Sequence, residues 1–250
     1  RKMKKSKLAK VLTVSLAALM VFGLASCGGG SGKVSDKDIT VISREEGSGT
    51  RDAFTELTGV LQDDVDKTVD TAEISNSTSV VTQSVAGNDA AIGYISLGSL
   101  DDTVKAVKVD GVEATVDNIK SGDYKIQRPF NIVTKGEVKE LPADFIKFIM
   151  SKDGQKIIED EGYISVNDNA EAYKASGLKG SITLAGSTSV SPVMEVLADK
   201  YKELNSGVTI EIQQTGSGAG IQSTTEGVCD IGMASRELKD EETSQGLKSE

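Results

Sequence analysis

The chain has 250 residues, 38% of them hydrophobic, a formal net charge of −10, and neither histidine nor tryptophan. That length supports a sizeable core in one or two domains, and the missing imidazole excludes Ser-His-Asp and Cys-His catalysis, His-containing zinc sites and imidazole general bases. So acidic a surface repels nucleic acid and anionic lipid, both of which are bound through clustered positive charge. No nucleic-acid partner is expected, and the attraction for any anionic ligand has to be local.

In chain order, the first segment reads as a targeting signal: Lys4, Lys5, Lys7 and Lys10 form a basic start, and Val11 to Leu24 an apolar run. The run is short for a mature membrane helix, which needs roughly 20 residues. Leu24-Ala25-Ser26-Cys27 resembles a lipobox, in which cleavage before Cys27 leaves a thiol that carries diacylglycerol; a plain secretory signal with an incidental Cys27 is the alternative. Residues 1–26 are thus read as a lipoprotein signal peptide and 27–37 as the lipidated Cys27 and a tether, Gly28-Gly29-Gly30-Ser31-Gly32 being too flexible to pack. The expected location is the extracytoplasmic face of the cell membrane, with the lipid as anchor. With Cys27 lipidated, Cys229 is left alone as a small buried residue and no internal disulfide is expected.

From residue 38 onward, short β-branched runs alternate with helical stretches, the pattern of an α/β fold. Strands are predicted at Ile39 to Ser43, Ala91 to Ile95, Val104 to Val109, Phe130 to Thr134, Ser181 to Leu184, Val208 to Ile212 and Asp230 to Met233. Helices are predicted at about Thr50 to Thr58, Thr78 to Ala86, Pro142 to Met150, from Asp153 to near Gly162, Ser191 to Leu204 with Pro192 in its first turn, and Ile221 to Glu226. Pro129 marks a strand entry near a crossover. The acidic clusters Asp63-Asp64-Asp66 and Asp240-Glu241-Glu242 lack the spaced ligands and turn glycine of a calcium loop and read as solvated charge; no metal or other cofactor is expected.

Three strand-to-helix turns carry the chemistry: Arg44-Glu45-Glu46-Gly47-Ser48-Gly49-Thr50, Ala185-Gly186-Ser187-Thr188-Ser189, and Thr215-Gly216-Ser217-Gly218-Ala219-Gly220. Each can present backbone N–H groups at a helix N-terminus, where unpaired donors and the helix dipole favour an anion, and Ser and Thr hydroxyls add further donors. Glycine lets the backbone come close to a small ligand. Arg44 supplies a full charge on a planar fork able to pair two oxygens at once. One such turn alone would be ordinary helix capping; three together, one with an arginine, point to an oxyanion.

These turns, with Ala91-Ile92-Gly93-Tyr94, Val190-Ser191-Pro192 and Asp230-Ile231-Gly232-Met233-Ala234-Ser235-Arg236, resemble the phosphate-binding proteins of bacterial ABC importers from Asp38 to Leu238. The resemblance implies a two-lobed, periplasmic-binding-protein-like (type II) α/β fold with a hinge, one lobe at 38–127 with the Arg44 turn and a second at 128–250 with the other two. It implies that Arg44 contacts phosphate and is held by Glu46, that Ser48, Gly49 and Thr50 bind from one lobe, and that Thr188, Ser189 and Ser217 bind from the other. It further implies a monomeric, non-enzymatic capture protein whose closed form is read by ABC permease subunits with their ATPase. Two features depart from the family pattern. The order is circularly permuted, the block like Ser181 to Arg236 usually coming first, and a strand and helix that normally join the blocks are missing, so the native protein is expected to continue beyond Glu250. An aspartate that accepts the phosphate proton is also absent after Asp230-Ile231-Gly232, where Ser235 is the remaining candidate. Sulfate, molybdate or another tetrahedral oxyanion is therefore the alternative ligand. A nucleotide-binding enzyme fails because Ile221 stands where the dinucleotide fingerprint needs glycine; a secreted hydrolase using Ser48 or Ser217 has no evident base.

Overall fold

The structure, a computed structural model, describes residues 38–250. Residues 1–37, which include the expected signal peptide, Cys27 and the whole of the tether, lie outside the described residues. Residues 37–250 belong to one compact unit.

The chain enters through β1 (Thr40–Arg44), turns through Gly47 at φ +80° and starts α1 (Gly49–Leu57). Ser48 caps α1, its hydroxyl accepting the Arg51 N–H and so satisfying one of the orphan donors of the first turn. A two-stranded ribbon, β2 (Leu61–Gln62) and β3 (Val65–Asp66), leads to β4 (Glu73–Ser75), α2 (Thr78–Ala86) and β5 (Ala91–Ile92). β1 lies between β4 and β5, parallel to both, so its carboxyl end and that of β4 open onto the starts of α1 and α2. The predicted strand over Val104 to Val109 does not form; only a bridge between Val109 and Val112 is present. Val107 is exposed there, and with no neighbouring strand its β-branched pattern has nothing to pair with. The short helix α3 (Val116–Lys120) follows.

The second sheet takes β6 (Asn131–Lys135), then α4 (Glu140–Ile149) and α5 (Lys152–Asp160), then β7 (Gly180–Gly186), α6 (Ser191–Leu204), β8 (Val208–Gln214), α7 (Ser217–Glu226), β9 (Ile231–Ala234), α8 (Asp240–Ser244) and β10 (Leu247–Ser249). Its order is β10-β6-β9-β7-β8, with β7 parallel to β8 and β9, and β6 antiparallel to β9 and β10. One face packs Phe145, Phe148, Leu197 and Tyr201 from α4 and α6 against Ile182, Leu184 and Ile231; the other face seats Ile221 of α7 on Val133 and Ala234. Tyr201 and Tyr173 both donate to Asp144, with Tyr201 at 2.7 Å, which ties the connection before β7 to α4.

The third glycine-rich turn is shorter than the sequence suggests. α7 begins at Ser217, so Gly218 and Gly220 are helical rather than part of a turn. A Cβ on Gly220 would stand 2.4 Å from Gly186 Cα and 2.5 Å from Ala185 O, so this glycine serves close packing of α7 on β7. Gly216, at φ +87°, is the turn glycine proper.

Candidate functional site

The residues named from the sequence meet in one place. Thr50 Oγ1 lies 2.9 Å from Ser189 Oγ and 3.3 Å from Ser235 Oγ, and Ser217 Oγ is 3.3 Å from Ser235 Oγ. Gly49 approaches the same spot: a Cβ there would be 2.5 Å from Ser217 Oγ. Gly218 N–H donates to Gly47 O at 2.9 Å, which joins the turn after β1 to the start of α7. Ser48, Thr50, Thr188, Ser189, Ser217 and Ser235 are all buried.

Arg44, at the end of β1, is 2% exposed and organises the site. Its Nε and Nη2 form a two-pronged pair with the Glu45 carboxylate at 2.8 and 2.9 Å. Nε also reaches Ser75 O at 3.2 Å, Nη1 reaches Thr78 Oγ1 at 3.3 Å, and Nη2 reaches Thr188 Oγ1 at 3.0 Å. The expected support from Glu46 is not made. β1 ends at Arg44 and the chain turns, Ser48 N–H closing onto Glu45 O, so Glu46 swings into solvent and Glu45 folds back onto the guanidinium. Behind the site, the Tyr94 hydroxyl accepts from Arg44 N at 3.1 Å and lies 2.7 Å from Ser43 Oγ, while its ring stacks on Phe54 at 4.1 Å.

Two participants have no counterpart in the sequence reading. Thr78, at the start of α2, lies 3.0 Å from Ser189 Oγ and 3.2 Å from Thr188 Oγ1, and its N–H points at Thr188 Oγ1 at 3.4 Å. The Ser75-Asn76-Ser77-Thr78 approach contains no glycine, so it lacks the mark that singled out the other turns. Arg128, just before Pro129, donates from Nε to Ser235 O at 2.6 Å and from Nη2 to Thr50 Oγ1 at 2.9 Å, with its guanidinium over the Phe130 ring. Burial and the Arg44 charge beside it push the Arg128 pKa down to about 10. Two other arginines of the region face elsewhere: Arg51 pairs with Asp66 at 2.7 Å, and Arg236 with Asp52 at 3.0 Å and Glu242 at 2.8 Å.

The hydroxyls have a common polarity. Ser48 Oγ accepts from Arg51 N, Thr50 Oγ1 from Arg128, Thr78 Oγ1 and Thr188 Oγ1 from Arg44, and Ser217 Oγ from Ser235 N at 3.1 Å. An N–H group can only donate, so each of these oxygens is engaged as an acceptor and keeps its own proton to give. Such a cluster suits an oxyanion rich in acceptor oxygens.

A model of the PBP superfamily domain matches residues 30–153 and 171–250. The phosphate-binding protein PstS 2 of Streptococcus agalactiae is 51% identical over 254 residues, covering 99% of this chain and 86% of that protein. The phosphate-binding protein PstS 2 of Streptococcus pneumoniae is 49% identical over 243 residues, covering 94% of this chain and 84% of that protein. A crystal structure of the phosphate-binding protein of a phosphate ABC transporter from Streptococcus pneumoniae superposes with a TM-score of 0.69 at 49% identity, over 86% of this chain and 84% of that one. The chain belongs to the PBP superfamily and, within it, to the family of these streptococcal phosphate-binding proteins.

Proposed function

We propose that the protein captures inorganic phosphate outside the cytoplasm and delivers it to an ABC permease. The observation that carries this reading is the buried hydroxyl cluster in which Thr50, Thr78, Thr188 and Ser217 each accept from an N–H donor. Around a tetrahedral oxyanion these protons turn inward, with the starts of α1, α2 and α7 adding the positive ends of their dipoles. Arg44 has one Nη1 hydrogen left for an oxygen, its other donors being spent on Glu45, Ser75, Thr78 and Thr188. Ser189 and Ser235 take only hydroxyl partners at their Oγ atoms, and with no N–H donor on them they are the best placed of the cluster's hydroxyls to accept the proton of hydrogen phosphate.

On this reading the lobes expected at 38–127 and 128–250 each carry one of the two sheets, and the ligand holds them together because both supply donors. Contacts present only when the lobes meet are what make the closed form depend on ligand. Exclusion of water strengthens every dipole in the cleft. The protein acts by binding rather than catalysis; Cys27 anchors it by its lipid, and the permease with its ATPase reads the closed state. Calorimetric titration of the purified protein with phosphate and then sulfate tests this reading. Phosphate should bind one to one and more tightly, whereas equal affinity for sulfate would end the assignment to phosphate.

A further inference from the structure

We infer that Arg128 is the second cation of the anion site, a positioning residue that holds Thr50 as a donor toward the ligand and biases the cleft toward doubly charged hydrogen phosphate. The inference rests on the phosphate reading above.

Its geometry is that of a clamp. The guanidinium cannot accept, so the bond from its Nη2 fixes Thr50 Oγ1 as acceptor, and the Thr50 proton has to leave on the other side, toward Ser189 and the ligand. The Nε bond holds Ser235 O, and with it the backbone whose N–H engages Ser217 Oγ. One side chain, carried on the connection between the two sheets, thereby sets the hydroxyls of Thr50 from α1 and of Ser217 from α7. The stem is held by the Phe130 ring 5.5 Å from the guanidinium carbon.

Its charge is uncompensated. Among the described residues Arg128 makes no ion pair, while Arg44 shares Glu45, Arg51 has Asp66, and Arg236 has Asp52 and Glu242. The groups facing Arg128 are Arg44 from β1, the neutral Tyr163 hydroxyl from the segment after α5, and the uncharged Thr50 and Ser235. Two guanidiniums against the single Glu45 carboxylate leave a formal excess of one positive charge at the ligand. In a partly desolvated cleft that excess acts more strongly on a dianion than on a monoanion.

The test is phosphate titration by calorimetry at pH 6 and pH 8 for the wild-type chain, Arg128→Lys and Arg128→Gln, each checked for an unchanged circular dichroism spectrum and melting midpoint. Wild type should bind more tightly at pH 8, where the dianion prevails. Arg128→Gln should bind about tenfold or more weakly at pH 8 and lose the preference between the two pH values. Arg128→Lys keeps a charge but not the fork; it should keep the preference while binding more weakly than wild type. Arg128→Gln weakened equally at both pH values, with the preference intact, would reduce Arg128 to a structural support and overturn the inference, as would wild-type affinity in both variants. Absence of phosphate binding by the wild type would instead overturn the functional reading itself.

Discussion

Gly49→Ala separates closure of the cleft from stability of the fold. Gly49 is the first residue of α1, in ordinary helical backbone rather than at positive φ, so alanine is locally acceptable and by helix propensity favourable by up to about 1 kcal/mol. The added methyl, however, would stand 2.5 Å from Ser217 Oγ, 3.0 Å from Ser217 Cβ and 3.0 Å from Ser235 Oγ. Turning the Ser217 hydroxyl aside gives up the bond from Ser235 N–H and still leaves its Cβ crowded. The two parts therefore separate by a few tenths of an ångström, at the cost of about 1–3 kcal/mol typical of overpacking. Read through the coupling between closure and ligand, that is a loss of about 5- to 150-fold in phosphate affinity. The assay is calorimetric titration beside a thermal melt without phosphate. Affinity should fall while the ligand-free melting midpoint stays within a few degrees. Affinity within twofold of wild type would refute the reading that closure on the ligand depends on the close approach of Gly49 to Ser217.

Arg44→Ala should weaken phosphate binding by about 100-fold or more, since it removes a buried cation and strands the Glu45 carboxylate, whereas Lys67→Ala, on an exposed side chain, should leave the same titration unchanged. Burial pushes the Glu242 carboxyl up, but the Arg236 hydrogen bond, the Lys239 N–H and the charges of both residues outweigh it and hold the pKa below the usual glutamate value. A depressed folded-state pKa contributes stability above the unfolded value that is lost as pH falls through the folded one, so Glu242→Gln should be less stable than wild type at neutral pH and the gap should close as acid is added. Melting midpoints at about pH 7 and about pH 3 check this; a constant gap would show that the carboxylate charge is not what Arg236 uses.

Much of the fold can be read from periodicity and punctuation. The helices Thr78–Ala86 and Ser191–Leu204 fall where their apolar spacing and, for the second, Pro192 put them, and the strands around Ile182, Ile210 and Ile231 follow their β-branched runs. The site is legible where a turn advertises itself with glycine: Gly49, Thr50, Thr188, Ser189, Ser217 and Ser235 converge. It is not legible where position depends on the tertiary path. Nothing local distinguishes Thr78 from any other helix start. Arg128 is one basic residue on an irregular segment, brought to Thr50 and Ser235 only because β6 pairs with β9. The choice of Glu45 over Glu46 depends on where β1 stops, a boundary that hydrophobic pattern does not resolve. Gly218 and Gly220 look like loop residues in sequence because a glycine needed for close helix packing is spelled the same way as one needed for a turn.

Tyr94 has an optical consequence. The chain has five tyrosines and no tryptophan, so no indole emission masks the phenols. Tyr94 is hydrogen-bonded to the backbone of Arg44, where the turn leading into α1 begins, and stacked on Phe54. Any shift of that turn alters the polarity and bonding of a native chromophore, and the protein carries its own spectroscopic probe of occupancy without a dye being attached.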